Sequence, residues 1–138
     1  EFRSKVLGNF LSRTYVGPGH KLYSYAEKRK TVNITEILQH EFASFLEPIV
    51  SEIQAAKSST DGWRDDKLRR IIGFRTESVE AAIRSVETGT YLCYLPELLA
   101  SNRKMLSLKI EGCPYKCETS TYLIAKKDNE LGWVRSLF

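Results

Sequence analysis

Few side chains in this sequence have both the type and the spacing to do chemistry, and each can be weighed by itself. "CPYKC" (Cys113–Cys117) holds two thiols four residues apart, a spacing compatible with a metal pair or a disulfide. A zinc site needs about four ligands, and the two histidines, His20 and His40, occur singly and far away in the chain. Three cysteines is an odd count for a disulfide framework, and the chain is too rich in core residues to be one. Reduced thiols and no metal are therefore expected. Cys93 lies inside the apolar run "YLCYLP" and reads as a small buried hydrophobe.

His20 directly follows Gly17-Pro18-Gly19, with no partner acid or nucleophile nearby, so a turn-packing histidine is the natural reading. Asp61, Asp65 and Asp66 fall in a polar turn, where solvation accounts for them better than catalysis. There is no Gly-rich phosphate loop, no G-x-S-x-G elbow and no H-E-x-x-H. Neither an enzyme nor a cofactor is expected. One chemical hint remains, in "SFLEP" (Ser44–Pro48) and "RTES" (Arg75–Ser78). Both read as strand ends that feed helices. In open α/β sheets, ligands sit beyond such ends, where helix N-termini present free amide donors. Two hydroxyl-bearing ends in one small sheet suggest a cleft for a small anion.

The elements that position these ends follow from periodicity. Leu11–Val16 is an extended, β-branched and aromatic run stopped by Gly-Pro-Gly. Ile34, Ile37 and Leu38 mark the apolar face of a short helix that Asn33 or Thr35 can cap. A strand near Phe42–Leu46 has few polar residues, as when both faces are covered. Ile49, Ile53 and Ala56 carry helical spacing, and "SSTDGW" ends that helix. A strand is predicted from about Leu68 to Arg75, with Gly73 marking a bulge or a close approach.

Val79, Ala82, Ile83 and Val86 then form one helical stripe, which Thr76 or Ser78 can cap and Gly89 can end in a left-handed conformation. "TYLCYL" is a buried strand, and Pro96 suits the first turn of "PELLAS". "MLSLKI" and "STYLIAK" read as strands joined by "CPYKC", and "ELGWVRSLF" as a final helix. Strands alternating with short helices predict an α/β fold, a mostly parallel central sheet flanked by helices.

The totals agree. The 138 residues, 42% apolar and 11% aromatic, can build one core, and the formal net charge of +4 comes from interspersed lysines, arginines and acids. The densest basic run, "YAEKRK" (Tyr25–Lys30), reads as a solvated loop rather than a phosphate contact. No run approaches the ~18 apolar residues of a membrane span, so no membrane partner is expected. A chain that opens on Glu-Phe-Arg-Ser, with no methionine and no signal pattern, reads as a piece of a larger cytoplasmic protein.

In this order, "RTYVGPGHKLYS", "ITEILQHEFASFL" and "ESVEAAIRSVETGTYLCYLPELLA" resemble the effector-binding region of LysR-type transcriptional regulators. Gly17, His20 and Leu22 match that family's "G-x-x-H-P-L", with Lys21 at the proline position. Ala82, Val86, Gly89 and Pro96 match its "A-x-x-x-V-x-x-G-x-G-I-a-x-L-P", with Tyr91 where the second glycine is usual. The resemblance spans about Leu11–Phe138.

It implies one lobe of a type II periplasmic-binding-protein-like fold, in which two lobes joined by crossover strands enclose a ligand. Residues 11–126 would be lobe two with both crossover strands, Leu11–Val16 and Thr121–Lys126. Residues 1–10 would be a tail or remnant of lobe one, and residues 127–138 a terminal helix belonging to lobe one. It further implies a small-molecule effector held by Ser44, Phe45 and Leu46 from one strand end and by Thr76, Glu77 and Ser78 from another. Glu77 would disfavour an acidic ligand, and Tyr91 would narrow the cleft. DNA would be engaged only through a helix-turn-helix preceding this chain, and the parent would be a homo-oligomer, a dimer or tetramer. The rival readings are a lobe of a periplasmic-type solute-binding protein and a fragment of a small α/β enzyme.

Overall fold

A computed structural model describes residues 1–48, 59–129 and 131–138. The helix expected over Ile49–Ala56 lies outside the described residues. The chain begins with β1 (Phe2–Val16), a strand of 15 residues, much longer than the Leu11–Val16 run predicted. After the Gly-Pro-Gly turn come α1 (Tyr23–Glu27), β2 (Thr31–Asn33), α2 (Ile34–Ile37) and β3 (Glu41–Phe45). Asn33 caps α2, its Oδ1 accepting from Thr35 N at 2.9 Å. Beyond the turn at 59–70 follow β4 (Ile71–Thr76), α3 (Val79–Glu87), β5 (Leu92–Pro96) and α4 (Glu97–Ala100). The chain then forms β6 (Leu106–Ser107), β7 (Lys109–Glu111), β8 (Glu118–Lys126) and α5 (Gly132–Leu137).

The main sheet runs β4-β3-β5-β1-β6, and β8 pairs with the first half of β1. The expected parallel arrangement is its centre: β3 lies parallel to both β4 and β5. The antiparallel share comes from β1, which runs against β5, β6 and β8. Leu11–Val16 and Thr121–Lys126 thus point in opposite directions.

Two local expectations change. "MLSLKI" is not one strand: Leu106 and Ser107 pair with β1, while Lys109–Glu111 joins β2 in a separate two-stranded sheet. The switch is at Leu108, whose amide donates to Thr14 O at 2.9 Å while its side chain enters the core. In addition, α1 and β2 are too short to produce a periodic signal. Gly73 does mark a bulge. Phe42 and Ala43 pair with Ile72 and Phe74, leaving Gly73 as the extra residue on β4.

Two apolar clusters cover the faces of the sheet. On one side Phe42, Leu92, Tyr94, Val16 and Trp63 pack with α1 and α2; on the other Ala43, Phe45, Cys93 and Leu95 pack under α3. Ile83 and Val86, both buried, each contribute about 1.5–3 kcal/mol there. Cys93 is fully buried, and burial pushes its thiol far above the usual value. Since the thiolate is the reactive form, Cys93 is expected to react with iodoacetamide only in denaturant, whereas the partly exposed Cys113 reacts in the folded chain, and Cys117, whose thiol burial also raises, reacts more slowly than Cys113. Mass spectrometry with and without urea checks this; Cys93 alkylated under native conditions would contradict it.

Candidate functional site at the strand ends

Because β3 and β4 are parallel neighbours with Phe45 opposite Thr76, the two predicted strand ends come together on one edge of the lobe. The amide of Leu46 donates to Thr76 O at 3.1 Å and ties them. Their side chains then diverge in role. Phe45 is buried in the core under α3, and its carbonyl accepts from Thr60 Oγ1 at 2.7 Å. Leu46 and Glu77 face solvent. Thr76 Oγ1 accepts from Ser78 N at 3.0 Å, and Ser78 Oγ accepts from Ala81 N at 3.1 Å, which caps α3. Both hydroxyls accept from backbone, so their own protons are left to donate outward. With the first-turn amides of α3, at Val79 and Glu80, they form a donor set suited to an anionic or carbonyl oxygen.

Ser44 differs from the expectation of an outward donor group. Its side chain is 1% exposed, and its Oγ donates to Asp61 Oδ2 at 3.0 Å. Asp61 in turn overturns the reading of a solvated turn: it is 1% exposed, with Arg70 bound to it twice, at 2.8 and 3.0 Å. Arg70 also reaches Asp65, which stays partly exposed, and lies over the rings of Phe42 and Trp63 at 5.2 and 5.1 Å. Burial by itself would lower the Arg70 pKa, but the hydrogen bond to Asp65 and the charge of Asp61 hold it above its ordinary value. Nothing in the sequence pairs Asp61 with Arg70, because the acids and the arginine read locally as one polar stretch. Tyr91 is not at the strand ends either. It stacks on Phe74 at 5.9 Å beside Gly73, at the start of β5.

His20 and His40, remote in sequence, meet with ring centroids 5.0 Å apart. His20 Nδ1 accepts from Leu22 N at 3.1 Å, which requires the unprotonated nitrogen. Burial first, then the charges of His40 and Lys21, hold His20 below its ordinary 6.5. The unfolded chain therefore takes up this proton first. The stabilisation is complete above about pH 6.5 and is lost as pH falls through the lower folded value. His20→Asn keeps an acceptor that does not titrate, so its melting temperature is expected to fall less than that of the wild type between about pH 7 and pH 5. Equal slopes in a thermal melt series would refute this.

Among the described residues, no group of three or more His, Cys, Asp or Glu side chains is placed to hold a metal ion. No helix there is long and apolar enough to cross a membrane.

No protein-family model matches the sequence, and no curated protein matches it. Solved structures do. The regulatory domain of CcmR from Synechocystis PCC6803, in complex with 2-PG, superposes with a TM-score of 0.66 over 100% of this chain and 64% of its own, at 13% identity. The fold is that of a LysR-type regulatory domain. The LysR-family regulator HinK from Pseudomonas aeruginosa superposes with a TM-score of 0.62 over 99% of this chain and 45% of its own, at 15% identity. The effector-binding domain of QuiR in complex with shikimate gives a TM-score of 0.58 over 92% of this chain and 56% of its own, at 16% identity. At such identities the likeness is one of fold. The chain spans about half to two thirds of the length of the structures it matches.

Proposed function

We propose that this chain is the effector-sensing lobe of a LysR-type transcriptional regulator, which binds a small metabolite and controls transcription through a cytoplasmic homo-oligomer. The observation that carries this reading is the junction of β3 and β4. In a fold shared with ligand-binding regulatory domains, it brings Leu46, Thr76, Glu77 and Ser78 to one edge, with unspent hydroxyl and amide donors, while Ser44 and Phe45 anchor the end of β3 from the core. Two of the matched domains carry 2-PG and shikimate, small oxygen-rich ligands of the kind such donors suit. Residues 11–126 form lobe two in this reading. Residues 1–10 and 127–138 belong with lobe one, whose remainder supplies the opposite wall.

The exposed apolar residues of the β1–β8 ribbon and α5, among them Phe2, Leu7, Ile124 and Trp133, support a missing partner on that side. Ligand binding would shift the lobes and the oligomer, altering how DNA-binding heads outside this chain engage a promoter. The chain alone is expected to show only weak, salt-sensitive attraction to DNA and to associate with itself through the ribbon.

The test is a thermal-shift screen of small organic acids on the two-lobe region, followed by calorimetry of the hits on wild type, Thr76→Val and Ser78→Ala. Losses of about tenfold in the variants support the site. Unchanged affinity in both variants places the ligand elsewhere, and equal affinity in this chain alone means that the site lies wholly in this lobe and not between two lobes.

A further inference from the structure

A hollow of about 320 Å³ is lined by Ala26, Arg29, Lys30, Leu106, Ser107 and Lys109. Its place in the fold follows from strand direction. Leu106 pairs with Val16 at the far end of β1, and β1 runs against β5, which lies parallel to β3. The hollow therefore sits at the opposite end of the sheet from Phe45 and Thr76, and no residue of the effector edge lines it.

Three cations line it, and no carboxylate does among the described residues. Among those residues Arg29, Lys30 and Lys109 make no ion pair and no side-chain hydrogen bond. The arginines of another surface hollow, Arg84 and Arg103, are by contrast tied to Glu80 and Glu87. Lys28-Arg29-Lys30 reads by itself as a solvated loop. The fold adds a further cation, because β7 pairs with β2 and sets Lys109 opposite Thr31. Arg29 is the second unusual feature. It has φ +53° at the end of α1, where its amide donates to Ala26 O at 3.2 Å and that of Lys30 to Tyr25 O at 2.9 Å. This way of ending a helix usually takes glycine, and an arginine in the left-handed conformation is strained. Folding alone does not account for an arginine there; a charge held at a fixed place does.

We propose that this hollow docks the phosphate backbone of duplex DNA, as a contact additional to the DNA-binding heads outside this chain. A small anionic ligand would need buried donors to orient it, whereas Arg29, Lys30, Ser107 and Lys109 are all exposed. A polyanion needs only cations along its path, each releasing condensed counterions as it meets a phosphate. The weak, salt-sensitive attraction of the chain to DNA thereby has an address. That DNA lies within reach rests on the reading of the parent as a transcription regulator; binding by the chain alone tests the patch independently of that reading.

The test is fluorescence anisotropy of a labelled duplex of unrelated sequence, titrated with this chain over a range of salt. The patch variant combines Arg29→Gly, Lys30→Gln and Lys109→Gln. The control combines Lys67→Gln, Arg69→Gln and Lys126→Gln, which removes the same charge from exposed residues outside the hollow. At about 50 mM salt the patch variant is expected to bind at least about tenfold more weakly than the wild type. Its slope of log affinity against log salt becomes shallower by about 2 to 3, roughly one for each cation removed. The control stays within about threefold of the wild type. Arg29→Gly alone weakens binding without lowering the melting temperature, which separates a lost contact from a lost fold. Equal losses in the patch and control variants would mean that the attraction follows net charge, and would overturn the proposal. So would an unchanged salt slope in the patch variant, or no saturable binding by the wild type. Tight binding of inorganic triphosphate that the patch variant abolishes would assign the hollow to a small ligand instead.

Discussion

Asp61→Ala is expected to destabilise the protein by about 3–5 kcal/mol, a large share of the total stability of a domain this size. The carboxylate holds three things together: the Arg70 guanidinium, the Ser44 hydroxyl that anchors the end of β3, and the amide of Trp63 at 3.2 Å. Removing it leaves Arg70, whose side chain is 1% exposed, with Asp65 as its remaining acid partner and strands the Ser44 hydroxyl in the core. Breaking one side of a buried pair costs more than the pair contributes, because the surviving charge stays desolvated. Two variants make the argument sharp. Asp61→Asn keeps the shape and one acceptor and should cost less than the alanine. The double change Asp61→Leu with Arg70→Met removes both charges together and should recover much of the loss. Urea unfolding of the series is the measurement. A double variant no more stable than Asp61→Ala would mean that the hydrogen bonds to Ser44 and Trp63, not the charge, dominate.

The second large effect is expected where the end of α3 meets the Gly-Pro-Gly turn. Gly89 has φ +78°, and a β-carbon there would strike Pro18 O and come within 2.8 Å of His20 N. On the other side of the contact, a β-carbon on Gly17 would run into the Val86 carbonyl and approach Glu87 Cα to 2.9 Å. Gly89 also closes the helix, its amide donating to Val86 O at 2.9 Å. Gly89→Ala therefore adds a backbone clash to the strain of a left-handed conformation, which alone costs on the order of 1 kcal/mol. Gly17→Ala carries the clash without the strain. Each is expected to cost at least about 2 kcal/mol, because the obstructing atoms are backbone and cannot rotate away. If the substitutions act through the same contact, the double variant should lose less than the sum of the two. Strict additivity in thermal or urea unfolding would show that the turn and the helix end are not coupled.

Residues close together in the chain made much of this fold legible. The stripe of Val79, Ala82, Ile83 and Val86, the Ser78 cap, the Gly89 ending and the apolar run at β5 depend on spacings of a few residues, and they form where predicted. The two strand ends lie on the same edge because β3 and β4 are parallel neighbours, as the α/β pattern leads one to expect of a mostly parallel sheet. What eluded local reading depends on partners far along the chain. Phe2–Phe10 is a strand because β8, more than a hundred residues later, supplies its hydrogen bonds. Leu108 splits one apparent strand in two because Thr14 claims its amide. Asp61 is a core ion rather than a solvated turn acid because Arg70 and Ser44 close over it, and the two histidines touch because the turn after β1 folds onto the approach to β3. A sequence carries its periodicities openly, but a charge is solvated or buried only by what long-range pairing brings against it.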